Sequence, residues 1–301
     1  MKREKWIWIL LVLTAFLFVI GWAGKGSGKS EEEAIEVPEV TTEAEGELPK
    51  AKDGMYVFVD EEECIYEVEL LEDVPECEYD YANLKDLEGV KSYYDEESGI
   101  KARIGIDVSE FQGEVDWQLV KDWGAEFAII RLGYRTFGDD GELVLDVGFE
   151  QNMQGALDAG LDVGVYFFSQ AVSEEEAREE AEYVLSYIQD YEIKGPVVID
   201  TEEIKDTEAR TDDNTMEQYT NNCIVFCETI KSAGYEPMIY ANMKWMAYAL
   251  DLTRLTEYSF WYADYQEEPQ CPYDFEIWQY TQIGVIPGIE SNVNMNLWFE
   301  K

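Results

Sequence analysis

Asp200 and Glu202 are the pair in this sequence best placed for acid–base chemistry. They close the stretch PVVIDTEE, residues 196–203, in which Val197, Val198 and Ile199 have the β-branched composition of a buried strand. If the backbone stays extended past the strand, the side-chain period of two puts both carboxyls on one face and turns Thr201 away. Neighbouring carboxyls at the end of an apolar strand repel each other and are poorly hydrated, so one of them keeps a proton near neutrality. A proton donor beside an anion is what cleavage of a glycosidic bond requires. D-x-E alone is a weak pattern in so acidic a chain, and Glu203 and Glu208 follow close behind. Its weight comes from the surrounding elements.

The chain has no histidine. That removes Ser-His-Asp and Cys-His catalysis and the usual zinc ligands. Carboxylates, tyrosines and lysines remain for proton transfer. Of the 301 residues, 66 are acidic and 22 basic, a net charge of −44. Such a surface excludes nucleic acid as a partner and disfavours docking onto anionic headgroups. It keeps the chain solvated and does not select a substrate. Five cysteines are too few and too irregularly spaced for a disulfide scaffold, and Cys223 and Cys227 have the spacing of helix core positions.

In order, the chain opens with Lys2, Arg3 and Lys5 before an apolar run over residues 6–23. That run is long enough to span a bilayer, and the basic flank holds the N-terminus in the cytoplasm. An uncleaved anchor over residues 1–24 is the expectation; cleavage near Gly21-Trp22-Ala23 is the competing outcome. Residues 25–53 form an acidic linker without apolar period. Residues 54–101 make a small β-rich appendage, with a hairpin over residues 55–59 and 65–71.

From residue 102, strand-like and helix-like stretches alternate. Strands are expected at residues 104–108, 127–132, 162–168, 196–200 and 238–241. Helices are expected at 116–123, 148–159, 173–191, 213–233 and 243–250. Three further strands, 259–263, 276–280 and 293–297, follow with loops alone between them. Five β/α units followed by three bare strands predict an α/β fold, an irregular TIM-like barrel over residues 102–301. Chemistry in such barrels gathers at the C-terminal strand ends, where Asp107 and Asp200 both fall.

The chain resembles the glycoside hydrolase family 25 lysozymes, the Chalaropsis-type muramidases. The resemblance starts at GIDVSEFQGEVDW (residues 105–117) and continues through AIIRLGYR (128–135) and GALDAGLDVGVYFFS (155–169). PVVIDTEE, IKSAGYEPMIYAN (230–242), WYADY (261–265) and IWQYTQIGVIPGIESNVNMNLW (277–298) complete it. It implies a (β/α)5(β)3 barrel that cleaves the β-1,4 bond between N-acetylmuramic acid and N-acetylglucosamine in peptidoglycan. By motif match Glu202 is the general acid, Asp200 lies beside it and Asp107 across the site. Asp200 would raise the pKa of Glu202 by repulsion and could orient the substrate's N-acetyl group; activation of water by Asp200 or Asp107 is the other arrangement. The implied partners are glycan strands, and the membrane through the N-terminal helix, for a monomer with its catalytic domain outside the cell. No metal or organic cofactor is implied.

The family's last strand usually carries aspartate in a V-D-x-N context; here the string is Val293-Asn294-Met295-Asn296. Asn294 can hydrogen-bond sugar or a carboxylate but cannot act as a base. This departure motivates the alternative of a catalytically weakened, membrane-tethered wall-binding module. Tyr134, Tyr166, Phe168, Tyr240, Trp261, Tyr265 and Trp278 fall at or near strand ends and are candidates for stacking on sugar rings. Asp264 is a further candidate for substrate contact, with capping of its strand as the alternative.

Overall fold

The computed structural model describes residues 53–205 and 208–300. The expected anchor and nearly all of the acidic linker lie outside the described residues. Among the described residues no helix is long and apolar enough to cross a membrane.

The appendage consists of two hairpins. Strands β1 (Met55–Val59) and β2 (Ile65–Glu69) pair antiparallel, from Met55 opposite Glu69 to Val59 opposite Ile65. Asp60 organises their turn: its carboxylate accepts the N–H groups of Glu62 and Cys64 at 3.0 and 2.9 Å and the Tyr66 hydroxyl at 2.7 Å. Strands β3 (Leu84–Leu87) and β4 (Val90–Tyr93) form the second hairpin. Glu88 and Gly89 both take positive φ (56° and 85°), the backbone a two-residue hairpin loop demands. Phe58, Tyr66, Val74, Tyr79 and Tyr93 are buried in the same apolar cluster as the barrel's Tyr262, Phe275 and Phe299. Tyr79 stacks on Phe299 with ring centroids 4.2 Å apart. The appendage therefore shares one core with the barrel.

The barrel begins with β5 (Lys101–Val108) and α1 (Trp117–Trp123). Then come β6 (Phe127–Arg135), the short β7 (Leu143–Leu145) and α2 (Phe149–Asp158), followed by β8 (Asp162–Phe168) and α3 (Glu174–Ile188). Next are β9 (Val197–Asp200) with α4 (Met216–Ser232) and β10 (Pro237–Asn242) with α5 (Met243–Tyr248). Strands β11 (Ser259–Ala263), β12 (Ile277–Gly284) and β13 (Val293–Glu300) end the fold without helices between them. The sheet runs β5-β13-β12-β11-β10-β9-β8-β6 and closes through the parallel β5–β6 pair. β13 alone in the ring is antiparallel to its neighbours. Strand β7, unforeseen in the sequence, pairs on the edge of β6.

Side-chain alternation divides the core in two. Val197 and Ile199 of β9, Ile239 of β10 and Tyr262 of β11 lie in the large cluster that includes buried residues of the helices. Val198, Met238, Trp261, Ile277, Phe127 and Ile129 form the smaller cluster filling the barrel. Helix starts follow their caps: Asp116, Ser173, Thr215 and Asn242 each accept a backbone N–H of the first turn. A buried Arg135–Glu180 pair at 2.8 Å, with Ser169 donating to Glu180 at 2.6 Å, ties β6 and the end of β8 to α3. Arg210 holds the Glu176 carboxylate through two bonds of 2.7 and 2.8 Å, tying the segment after β9 to α3.

Candidate active site

Asp107 is the penultimate residue of β5 and Asp200 the last of β9, and period-two alternation turns both into the barrel mouth. Asn294 is the second residue of β13, which runs the other way, so its first residues stand at the same end and Asn294 pairs with Asp107. The extended backbone of β9 gives way to an irregular segment at residues 201–205, and Glu202 still reaches the cleft. The cleft has two lobes that share Phe168, Glu202 and Ile204. One, of about 540 Å³, holds Asp107, Asp200, Glu202 and Asn294; the other, of about 380 Å³, extends past Tyr240 and Tyr265.

Asp107 is buried and accepts three side-chain amides. Asn294 donates to Oδ1 at 2.9 Å, while Asn296 and Gln279 donate to Oδ2 at 2.8 and 2.9 Å. Burial pushes its pKa up to about 6, and the three amides hold it from rising further. Tyr240 and Tyr265 both donate to Gln279 Oε1, at 3.1 and 2.7 Å, which aims the Gln279 amide at Asp107. The two tyrosines thus orient the carboxylate at one remove.

Asp200 and Glu202 both hold their protons more tightly than ordinary carboxyls. Burial is the main cause for Asp200, followed by the charges of Glu202 and Asp107, with the Arg131 guanidinium opposing. Among the described residues, Asp200 Oδ1 has no hydrogen-bond partner. Glu202 is raised to about 7 by burial first, then by Glu61, against Lys205, with Asp107 adding a smaller push. The repulsion between Asp200 and Glu202 thus shows in the rise of Asp200, while desolvation leads at Glu202 and the largest charge contribution there comes from Glu61 of the appendage. A group with that pKa keeps much of its proton near neutral pH.

Arg131, on β6, donates to Asp146 at 2.6 Å and to Glu110 at 3.0 Å. Its guanidinium lies 4.8 Å from the Phe111 ring and 5.4 Å from the Tyr134 ring. It lines the larger lobe together with Arg135.

The candidates for sugar contact separate into two groups. Tyr134, Tyr166, Phe168, Tyr240, Tyr265 and Asn294 line the cleft. Trp261 does not: it fills the barrel beneath, donating to Asn296 at 2.8 Å and packing edge-on against Tyr166 and Tyr240. Trp278 is fully buried on the outer face of β12, donating to the Asp264 carbonyl at 2.7 Å with Lys91 of the appendage 5.4 Å from its ring. It is one residue out of phase with the inward Ile277 and Gln279. Asp264 organises its loop, accepting the Tyr262 hydroxyl at 2.8 Å and the N–H groups of Gln266 and Gln270 at 3.1 and 2.8 Å. Its carboxyl is spent on its own loop.

Several cleft residues went unrecognised in the sequence. Gln279 and Asn296 are polar residues at inward positions of apolar strands, and strict alternation would have found them. Phe111 and Phe137 line the larger lobe and are 74% and 48% exposed, apolar rings left facing solvent. Glu61 carried no local signal.

Carboxyls gathered at the C-terminal mouth of a closed α/β barrel, one of them with its pKa raised to about 7, fit the chemistry of an α/β-barrel glycosidase. Residues 106–289 match the family described as "Glycosyl hydrolases family 25", and the chain belongs to that family. It is 30% identical over 203 residues to the uncharacterized protein YegX of Escherichia coli (strain K12), covering 64% of this chain and 68% of that one. It is 24% identical over 197 residues to the autolytic lysozyme of Clostridium acetobutylicum, covering 65% of this chain and 56% of that one. The fold is similar to that of the modular autolysin LytC of Streptococcus pneumoniae, with TM-score 0.58 and 22% identity over 83% of this chain and 57% of LytC. It is also similar to the bacterial lysozyme of Streptomyces coelicolor, with TM-score 0.54 and 24% identity over 65% of this chain and 91% of that one. The chain thus spans somewhat over half the length of the autolysin and of the clostridial lysozyme.

Proposed function

We propose that this protein is a muramidase, hydrolysing the β-1,4 bond between N-acetylmuramic acid and N-acetylglucosamine of peptidoglycan. The observation that carries the reading is Glu202: a carboxyl with its pKa raised to about 7, facing Asp107 and Asp200 in an open cleft. Glu202 is the general acid that protonates the leaving glycosidic oxygen. Asp200, buried beside it, presents an unpartnered oxygen to the substrate's acetamido group. Asp107, gripped by three amides, supplies the fixed negative charge opposite. Tyr134, Phe168, Tyr240 and Tyr265 offer ring faces and hydroxyls to successive sugars. Family membership and the solved structure of LytC in complex with a synthetic peptidoglycan ligand support this substrate.

The test is the chemical end of the product. Digests of purified peptidoglycan, reduced with borohydride and analysed by mass spectrometry, are expected to carry reduced N-acetylmuramic acid. Reduced N-acetylglucosamine would overturn the bond assignment, and intact glycan that sediments with the protein would favour the wall-binding alternative. That alternative draws on Asn294, the neutral residue at the family's usual aspartate. It is disfavoured because Asn294 supports the Asp107 carboxylate directly.

The protein would work as a monomer tethered outside the cell by residues 1–24, the basic Lys2, Arg3 and Lys5 keeping its N-terminus inside. Protease added to intact protoplasts is then expected to remove the barrel while the protein fractionates with membranes. A protected barrel, or one released wholly into the medium, would contradict the tether.

A further inference from the structure

We propose that the turn of the β1–β2 hairpin is a working wall of the catalytic cleft: Glu61 faces Glu202 across the smaller lobe, and the Glu62–Lys205 ion pair holds the segment that carries Glu202. The proposal rests on Glu202 being the acid. It gives the appendage a part in the chemistry, with Glu61 and Lys205 as residues that position and tune the proton donor.

The hairpin is fixed to the barrel by contacts built for that purpose. The Gln270 side chain spans the end of β1, accepting the Val59 N–H at 2.9 Å and donating to the Val59 carbonyl at 2.8 Å. Tyr56 donates its hydroxyl to the Gln270 carbonyl. Phe58 and Tyr66 stack with centroids 5.0 Å apart, and Tyr66 tilts against Tyr248 of α5 at 6.0 Å. Residues 60–62 then project into the lobe that Glu202, Tyr240 and Tyr265 line. Glu61 also hydrogen-bonds Gln282 of β12.

The segment after β9 is pinned at every second residue. The Thr201 hydroxyl accepts Trp245 Nε1 at 3.0 Å, and Glu203 accepts Lys244 Nζ at 3.2 Å. Lys205 pairs with Glu62. The two residues between, Glu202 and Ile204, are left to line both lobes of the cleft. Without the hairpin the third pin is missing, and the next anchor among the described residues is Arg210 on Glu176.

The charges facing Glu202 have opposed effects. Glu61 and Asp107 favour its protonated form and Lys205 its anion. The charge of Glu202 in turn raises Asp200 on β9, with Arg131 of β6 opposing. Asp60, Glu62, Glu203 and Lys244 line the same lobe. Glu61 itself holds its proton more tightly than usual through burial, against Lys205 and the Gln282 hydrogen bond, with Glu62 and Asp60 adding to the rise.

A tuning role predicts two shifts of opposite sign. A general acid must be protonated, so activity falls as pH rises through its pKa. Glu61→Gln removes a like charge, lets Glu202 lose its proton earlier, and moves the alkaline limb of the pH–rate profile down. Lys205→Met removes the opposing cation and moves the limb up. Each shift is expected to be about half a pH unit, the scale of one charge acting across a partly solvated cleft, or roughly threefold in rate above the limb. A hairpin that merely packs would change rates without opposite shifts.

The same full-length variants, labelled with carboxyl-13C glutamate, allow the Glu202 titration to be followed by NMR without substrate, its resonance assigned by loss in Glu202→Gln. Opposite shifts in both measurements establish the wall. Opposite NMR shifts in a protein that does not cleave peptidoglycan uphold the wall and overturn the muramidase reading. A Glu202 titration that moves in neither variant, or in the same direction in both, overturns the proposal.

Discussion

Replacing Glu202 by glutamine is expected to lower turnover on peptidoglycan about 10²- to 10⁴-fold, the range a lost general acid produces. The amide keeps the shape of the side chain and its capacity to hydrogen-bond, and removes only the transferable proton. Glu202 has a pKa of about 7 because burial, Glu61 and Asp107 favour its neutral form. That value suits a carboxyl that donates a proton near neutral pH. Binding of glycan fragments should change little, so the loss is expected in kcat and not in KM. Lysis near the wild-type rate would mean that another group delivers the proton.

Asn294→Asp is expected to have the next largest effect. Asn294 donates to Asp107 at 2.9 Å, and aspartate there would place a second carboxyl in contact with one already buried. Two touching carboxylates resist ionising together, so the pair would share a proton and lose the second only at higher pH. If the reaction needs Asp107 ionised, the acid limb of the pH–rate profile moves up, by about one unit or more for a pair in contact. The stability effect has a defined sign. A carboxyl whose folded pKa lies above its unfolded value binds more protons in the folded state, so stability falls as pH rises between the two. Melting temperatures of the variant should therefore drop further below wild type at pH 8 than at pH 5. An unmoved acid limb would separate Asp107 from the ionisation that limits activity, and a pH-independent loss of stability would show that the carboxyls do not couple.

Much of the architecture was legible because it is local. β-branched runs alternating with helix-like stretches marked five β/α units and three bare strands, and the structure has them. The ends of two strands carried Asp107 and Asp200, and the period of two turned both inward. The same period, applied strictly, would have sent Trp278 outward and drawn Gln279 and Asn296 in. It was the phase along the strand, and not the residue type, that decided those positions.

What only the tertiary structure settled depends on contacts between distant segments. Asp107 meets Gln279, Asn294 and Asn296 because the antiparallel β13 closes the ring against β5, bringing together residues 172 to 189 positions apart. Glu202 takes much of its proton affinity from burial and from Glu61, in a hairpin that the sequence marked only as an appendage. Chain composition and periodicity report how each segment prefers to fold and which face it buries. The electrostatics of a carboxyl depend on what excludes water from it and which charges stand opposite, and both are set by where the sheet closes.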